Sequence, residues 1–364
     1  MKYLFFMGHP AHFHLFKNTI LGLQRDGHDI KIVIKTKDVL EDLLVNQGFP
    51  YINIHSKERK DSKLAIGYTL LKRDIRLLVI CLQERPDLML GSATEISHVG
   101  ALLKIPSVVF SEDDAAIIPQ FSSLTYPFVS YILSPIVCDN GKWEYKSIKY
   151  RGYHELSYLH PANFTPCREV VEKYFSTKEP FVILRFAKLK AYHDSGIKGL
   201  DDRIAARLIE LLNKRGRVFI TSERKLPAQF EQYRIAINPL DIHHVLKFAY
   251  LYIGDSQTMA TEAAVLGTPF IRFNDFVGRI GTLRELEDHY KLGFGISPKE
   301  PAKLFEKVEE LLKMENLDDI FEERKRTMLN EKIDVSQFFL WFIQNYPESV
   351  DMIRENADAQ FIVN

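Results

Sequence analysis

Cysteine is scarce in this chain. The 364 residues hold three, Cys81, Cys138 and Cys167, odd in number, far apart and in no CxxC pair. They read as reduced, structural thiols of a cytosolic protein rather than as a disulfide framework. Net charge is missing as well. Lys+Arg and Asp+Glu both number 48 and no long like-charge run occurs, so the balance gives no sign of a nucleic-acid partner. No apolar stretch is long enough to span a membrane, because Arg73, Asp74 and Arg76 interrupt Leu70–Leu90. The opening MKYLFFMGHPAHFH is too short and too rich in histidine for a secretory signal. Internal repeats and low-complexity stretches are absent too. The expectation is a protein that is soluble or peripheral to a membrane.

Familiar fingerprints are also lacking. No GxGxxG follows the first predicted strand, which disfavours a nicotinamide dehydrogenase, and neither GxxxxGKS/T nor GxSxG occurs. The chain does have ordinary globular composition, 46% hydrophobic and 26% charged, and a length that suggests two domains.

Strand Tyr3–Met7, the turn Gly8–His14, a helix from Phe16 to Asp26 and strand Asp29–Thr36 form the opening βαβ of a doubly wound fold. Helix Asp38–Gln47, strand Tyr51–His55, an amphipathic helix over Gly67–Gln83, strand Leu88–Ser92, helix Glu95–Lys104 and strands Ser107–Ser111 and Tyr131–Ser134 complete a first parallel sheet. The irregular Tyr150–Cys167, with Gly152, Pro161 and Pro166, reads as a linker. A second alternation follows: strands Phe181–Arg185, Arg217–Ser222, Ala249–Gly254 and Phe270–Phe273, separated by helices. Helical stretches from Pro301 to Tyr346 end it. The expected architecture is α/β, two Rossmann-like doubly wound parallel-sheet domains. They cover residues 1–155 and 156–340, and a tail over 341–364 can pack back on the first. Ligands then belong at the carboxyl ends of the strands, in a cleft between the halves.

The segment YIGDSQTMATEAAVLGT, Tyr252–Thr268, stands out. Its apolar strand breaks at Asp255-Ser256, two good N-capping residues, and a helix follows that stops at Gly267. A strand, a polar turn and a helix N-terminus together make a site for an anion. Thr258, Thr261 and Glu262 lie in the first turns, where hydroxyls can meet phosphate and a carboxylate can hold a ribose diol. The same spacing also describes a buried helix with an ordinary cap.

Three more groups could carry chemistry. His9, His12 and His14 fill the first strand-to-helix loop in a spacing that matches no common zinc pattern. They suit a general base, or a donor to a sugar or phosphate oxygen, as well as they suit plain loop residues. Arg185, Lys188, Lys190, His193 and Asp194 follow the first strand of the second half, where cations could bind a diphosphate or simply face solvent. Ser222-Glu223 ends another strand there, and His243 opens a helix. Glu112-Asp113-Asp114 ends strand Ser107–Ser111 and could serve as a cap, a metal site or a catalytic acid/base.

The segments GHPAHFHLFKNTILGL, YRGYHELSYLHPANFTP, RFAKLKAYHDSGIKGL, ITSERKLP, YLYIGDSQTMATEAAVLGTPFIRF and LRELEDHYKLGFG resemble, in that order and over roughly residues 1–300, the family catalogued as domain of unknown function 354. That family looks like a branch of the two-Rossmann GT-B superfamily, beside nucleotide-sugar glycosyltransferases and UDP-N-acetylglucosamine 2-epimerases. The resemblance makes residues 1–155 the acceptor side and 156–340 the nucleotide-sugar-binding side. It sets Asp255, Ser256 and Thr258 against the donor diphosphate, with Arg185 and His193 approaching the phosphates or sugar. Ser222, Glu223 and His243 join that donor site, and Glu262 holds donor hydroxyls. His9, His12 and His14 lie on the acceptor side, where one of them takes a proton. No metal or cofactor is implied beyond the nucleotide sugar itself, since helix dipole and side chains stabilise the leaving diphosphate in such folds.

The epimerase alternative needs an Asp after the strand ending Leu90-Gly91-Ser92 and a Glu after the next. Glu112 supplies the Glu, but Gly91-Ser92-Ala93 offers no Asp and Glu95 only an imperfect substitute. The resemblance therefore implies a glycosyltransferase-like enzyme of surface-polysaccharide or glycoconjugate synthesis, using a UDP-linked donor and a sugar or lipid-linked acceptor. A non-catalytic nucleotide-sugar-binding protein is the third reading. A cytoplasmic location is implied, with room for peripheral contact with the inner membrane face through the basic, leucine-rich Gly67–Gln83. There Lys72, Arg73 and Arg76 stand beside Leu70, Leu71 and Leu77.

Overall fold

The computed structural model describes residues 1–35, 39–55, 63–187 and 199–362. By packing, the chain divides into two units, Met1–Asn163 with Ile333–Asn364, and Phe164–Lys332. Their boundaries fall at 163/164 and 332/333, where the sequence suggested 155/156 and 340/341.

The first unit runs β1 (Lys2–Met7), α1 (Pro10–Arg25), β2 (Asp29–Lys35), α2 (Leu40–Gln47), β3 (Tyr51–His55), α3 (Lys63–Glu84), β4 (Leu88–Gly91), α4 (Thr94–Leu103), β5 (Ser107–Phe110), α5 (Pro119–Thr125), β6 (Tyr131–Pro135), β7 (Ser147–Tyr150) and α6 (Leu156–Leu159). Its sheet is parallel throughout, in the order β3-β2-β1-β4-β5-β6-β7. The inner strands β1, β4 and β5 are buried almost end to end, which is why they read as continuous apolar runs. The chain winds outward from β1 to β3, then reverses to β4, so the carboxyl ends of β1 and β4 flank the switch point. Backbones crowd there. A Cβ on Gly91 (φ +152) would lie 2.4 Å from the Phe6 carbonyl oxygen, so only glycine fits.

The second unit runs α7 (Arg168–Glu172), β8 (Phe181–Phe186), α8 (Asp202–Leu212), β9 (Arg217–Ser222), α9 (Ile242–Phe248), β10 (Leu251–Gly254), α10 (Gln257–Leu266), β11 (Phe270–Phe273), α11 (Gly281–Arg284), β12 (Gly293–Ile296), α12 (Pro301–Lys313) and α13 (Leu317–Glu331). Its five strands are parallel in the order β12-β11-β10-β8-β9, with the switch between β8 and β10.

The chain then returns to the first unit as α14 (Val335–Gln344), α15 (Glu348–Glu355) and α16 (Ala359–Ile362). Helix α14 is apolar on most sides and packs on α1, so closely that a Cβ on Gly22 would lie 2.8 Å from Leu340 Cδ2. Phe339 stacks edge-on against Phe110 (4.8 Å) and Tyr150 (5.3 Å). That packing moves the second boundary upstream. β7 also extends the first sheet past Tyr131–Ser134, where the sequence ended it. Ser147-Ile148-Lys149-Tyr150 is a four-residue edge strand alternating polar and apolar, too short to stand out.

Candidate functional site

In the second unit the turn between β10 and α10 sits beside the switch point. Gly254 is required: a Cβ there would lie 2.5 Å from the Tyr252 hydroxyl and 2.9 Å from Arg185 Cβ. Asp255 follows, only 1% exposed. Its Oδ1 accepts from the Ala187 backbone N–H (2.6 Å), tying the end of β8 to the end of β10. Its backbone carbonyl accepts from Asn274 Nδ2 (3.1 Å), which brings in β11. Oδ2 is buried and accepts no hydrogen bond among the described residues. Burial pushes the Asp255 carboxyl up to about 6, against the opposing pull of the Ala187 N–H and the Arg224 charge. A carboxyl so displaced in such a place marks a functional candidate.

Ser256 caps α10 (φ −82°, ψ 126°), its Oγ accepting from Met259 N at 3.4 Å. Ser256, Gln257 and Thr258 are half-buried, whereas Met259 through Leu266 are buried. The open end of this helix is thus its N-terminus, whose first backbone amides have no carbonyl partner within the helix.

Glu262 and His243, expected separately, meet. Glu262 Oε1 lies 3.0 Å from His243 Nε2, between α10 and α9, with both side chains buried. Glu262 is therefore oriented by an imidazole. Arg185 also finds a partner, an ion pair with Glu223 across the ends of β8 and β9. Ser222 closes its own turn: the hydroxyl donates to the Arg224 carbonyl (2.7 Å) and accepts from the Arg224 N–H (3.1 Å). Lys188, Lys190, His193 and Asp194 lie outside the described residues.

In the first unit the loop after β1 begins with Gly8, over which the Lys35 side chain lies. A Cβ on Gly8 would meet Lys35 Cε at 2.6 Å. His9 is the N-cap of α1, and its Nδ1 accepts from Ala11 N (3.1 Å). His12 Nδ1 accepts from Gly8 N (3.1 Å). A ring nitrogen that accepts an amide proton carries none, so these bonds assign the proton of each neutral imidazole to Nε2. The His14 ring lies 5.2 Å from that of Tyr158.

Glu112 stands at the carboxyl end of β5. Its Oε2 accepts from the His154 N–H (2.9 Å) and lies 3.5 Å from His154 Nδ1. Burial holds the His154 imidazole down at about 4, so the ring is neutral beside this carboxylate at pH 7. Asp114 Oδ1 accepts from Asp139 N (2.6 Å), so part of the acidic loop serves as a turn.

Sequence reasoning missed His154, Asn274 and Arg272. His154 stands within YRGYHELSYLHP, a segment distinctive as a whole in which no single residue carries a known spacing. Arg272 and Asn274 lie in PFIRF-N, where only the arginine within a strand otherwise buried on both faces was a signal.

Several solved structures share this fold. UDP-GlcNAc 2-epimerase from Neisseria meningitidis, bound to UDP-GlcNAc, matches 91% of this chain and 99% of its own at 15% identity, with a TM-score of 0.58. The Methanocaldococcus jannaschii UDP-GlcNAc 2-epimerase, in complex with UDP-GlcNAc and UDP, matches 86% and 94% at 16% identity and a TM-score of 0.62. The spinosyn rhamnosyltransferase SpnG, complexed with spinosyn aglycone, matches 95% and 100% at 13% identity and a TM-score of 0.62. No curated protein sequence matches the chain. The family described as "Protein of unknown function (DUF354)" matches residues 5–275. With two doubly wound parallel sheets of the GT-B kind and most of its length under that match, the chain belongs to the DUF354 family.

Proposed function

We propose that this chain is a glycosyltransferase that moves a sugar from a UDP-linked donor to an acceptor hydroxyl in glycoconjugate synthesis. The observation that carries the reading is the α10 N-terminus at the β8/β10 switch point. There Asp255, the Ser256 cap and the first residues of the helix, Gln257 and Thr258, follow directly on the end of β10. The diphosphate binds the amides of these first helical residues, and the helix dipole stabilises the charge of the departing nucleoside diphosphate without a metal. Glu262, oriented by His243, holds donor hydroxyls. His9 and His12 donate to acceptor oxygens, while His14 or Glu112 takes the acceptor proton. A lipid-linked acceptor would bring the first unit to the inner membrane face.

The epimerase reading is less favoured by the residues after β4. Ser92 Oγ is spent on the Phe110 carbonyl (2.5 Å), and Glu95, 2% exposed, is ion-paired to Arg73. Neither offers a carboxylate where that chemistry wants one.

A thermal-shift screen against UDP, GDP, CDP, dTDP and CMP sugars, with and without EDTA, tests the assignment. One nucleotide class is expected to raise the melting temperature, unaffected by EDTA, because a ligand of the native state alone must stabilise it. Glu262→Gln should weaken that binding about tenfold, about 1.4 kcal/mol, with little change in the unliganded melting temperature. No shift with any nucleotide sugar would sink the donor site. Solvent deuterium appearing at C2 of UDP-GlcNAc would instead establish epimerisation, and binding without turnover on any acceptor would leave a binding protein.

A further inference from the structure

Helix α3 carries two sets of apolar residues. Leu77 and Cys81 are buried in the core of the first unit, with Leu78 and Ile80 packed against it. Tyr68, Leu71, Ile75, Val79 and Leu82 are exposed, at 69%, 57%, 54%, 49% and 57%. Their steps of three and four residues line them up as one stripe, about 20 Å long at the helical rise. The stripe is not the one expected from sequence: Leu77 faces inward, Leu70 is half-buried and Arg73 is paired with Glu95.

The two flanks of the stripe differ. Lys72 and Arg76 are exposed along one of them, Arg76 also donating through Nη1 to the Ile54 carbonyl, and no exposed carboxylate stands on that flank among the described residues. On the other, Asp74 is committed to His98 (Oδ2 to Nδ1, 2.9 Å). The His98 Nε2 lies 2.9 Å from the Leu124 carbonyl oxygen, and its ring meets Phe128 edge-on at 5.1 Å. Leu124 and Phe128 are themselves exposed, at 38% and 50%. Five of the sixteen exposed large hydrophobic side chains among the described residues thus stand on one helix stripe. Scattered exposure is normal in soluble proteins, but a continuous patch of this kind marks a docking surface.

We propose that this face docks on an anionic phospholipid surface, with the α3 stripe entering the interface and Lys72 and Arg76 meeting headgroup phosphates. Charge chooses the occupant. A second copy packed antiparallel across the stripe would set the Lys72–Arg76 flank beside the same flank of its partner, with no carboxylate to offset it. A parallel copy would set it against Asp74, already taken by His98. A negative lipid surface complements the cations, and an apolar stripe with a basic flank is the composition that lies in a bilayer interface. No described helix is long and apolar enough to cross a membrane. The docking stands whether or not the chain transfers sugars.

Co-sedimentation of the full chain with phosphatidylcholine vesicles, with and without about a third phosphatidylglycerol, tests it. The protein should bind the anionic vesicles, weakly at high salt and little to phosphatidylcholine alone. The double variant Leu71→Ser/Val79→Ser should lose about tenfold in binding and Lys72→Glu several-fold, both with the wild-type melting temperature. If the double variant fails to fold, Lys72→Glu alone gives the reading. Absence of wild-type binding to anionic vesicles overturns the proposal, as does equal binding by the variants. So does a dimer, seen by light scattering, that Leu71→Ser/Val79→Ser converts to monomer.

Discussion

Arg272→Met is expected to destabilise the protein by about 3–5 kcal/mol, the largest loss for a single substitution here. Arg272 is fully buried and Glu287 nearly so. The guanidinium grips the carboxylate through two nitrogens, Nε to Oε1 at 3.0 Å and Nη2 to Oε2 at 3.2 Å. Burial raises the Glu287 carboxyl above its usual range, and the Arg272 charge pulls it back. Removing the arginine leaves a buried carboxylate with no compensating charge, and the protein must then either bury it ionised or protonate it. Arg272→Met/Glu287→Leu removes both charges and should recover most of the loss. Urea unfolding of both variants checks this, and a single-variant loss under about 1 kcal/mol would show that the pair contributes little. The effect should also reach the candidate site. Arg272 Nη1 donates to Asn274 Oδ1 (3.2 Å), and Asn274 holds the Asp255 carbonyl, so Arg272→Met should weaken nucleotide-sugar binding as well.

Asp255→Asn should do the opposite to stability. The Asp255 carboxyl lies at about 6 in the folded chain against an ordinary 3.8. Below pH 3.8 both folded and unfolded states hold the proton and the group costs nothing. Between the two values the unfolded chain ionises first, so the folded state loses stability as pH rises, and above 6 the full difference applies. That difference corresponds to about 3 kcal/mol as an order of magnitude. Asparagine keeps an acceptor for the Ala187 N–H without a buried charge. Asp255→Asn is therefore expected to stabilise the unliganded protein at pH 7 and to flatten its stability between pH 4 and 6, while weakening donor binding. Melting temperatures across that range test the first part. A variant with the wild-type pH dependence would show that Asp255 is not the titrating group. A buried charge that lowers stability and survives at the mouth of a site is the usual signature of function.

The fold was largely legible because parallel strands buried on both faces leave apolar runs that need no alternation to be seen. The strands that went unseen fail for specific reasons. β7 is a short edge strand. In β12, Gly293-Phe294-Gly295-Ile296, glycine weakens the strand signal, yet both glycines are dictated from outside the strand. A Cβ on Gly293 would lie 2.2 Å from the Phe270 ring, and one on Gly295 would lie 2.5 Å from Glu287 Oε2. The site was legible where it is local, in the Gly254-Asp255-Ser256 turn and its helix. It was not legible where it depends on pairing. Glu262 with His243, Arg185 with Glu223, and Glu112 with His154 come from separate elements, and no spacing along one chain announces them. The α3 stripe was half legible: periodicity found an amphipathic helix, but only packing says which apolar side faces in.

The return of α14 to α1 has a consequence for the order in which the molecule can be made. The second unit is continuous in sequence and can fold as soon as it is synthesised, whereas the first cannot close until Val335–Gln344 has followed it. Until then the faces of α1 and β5 that receive Leu340 and Phe339 stay bare. A nascent chain therefore carries an open hydrophobic seam through most of its synthesis, and chaperone capture or early aggregation would act on that seam first.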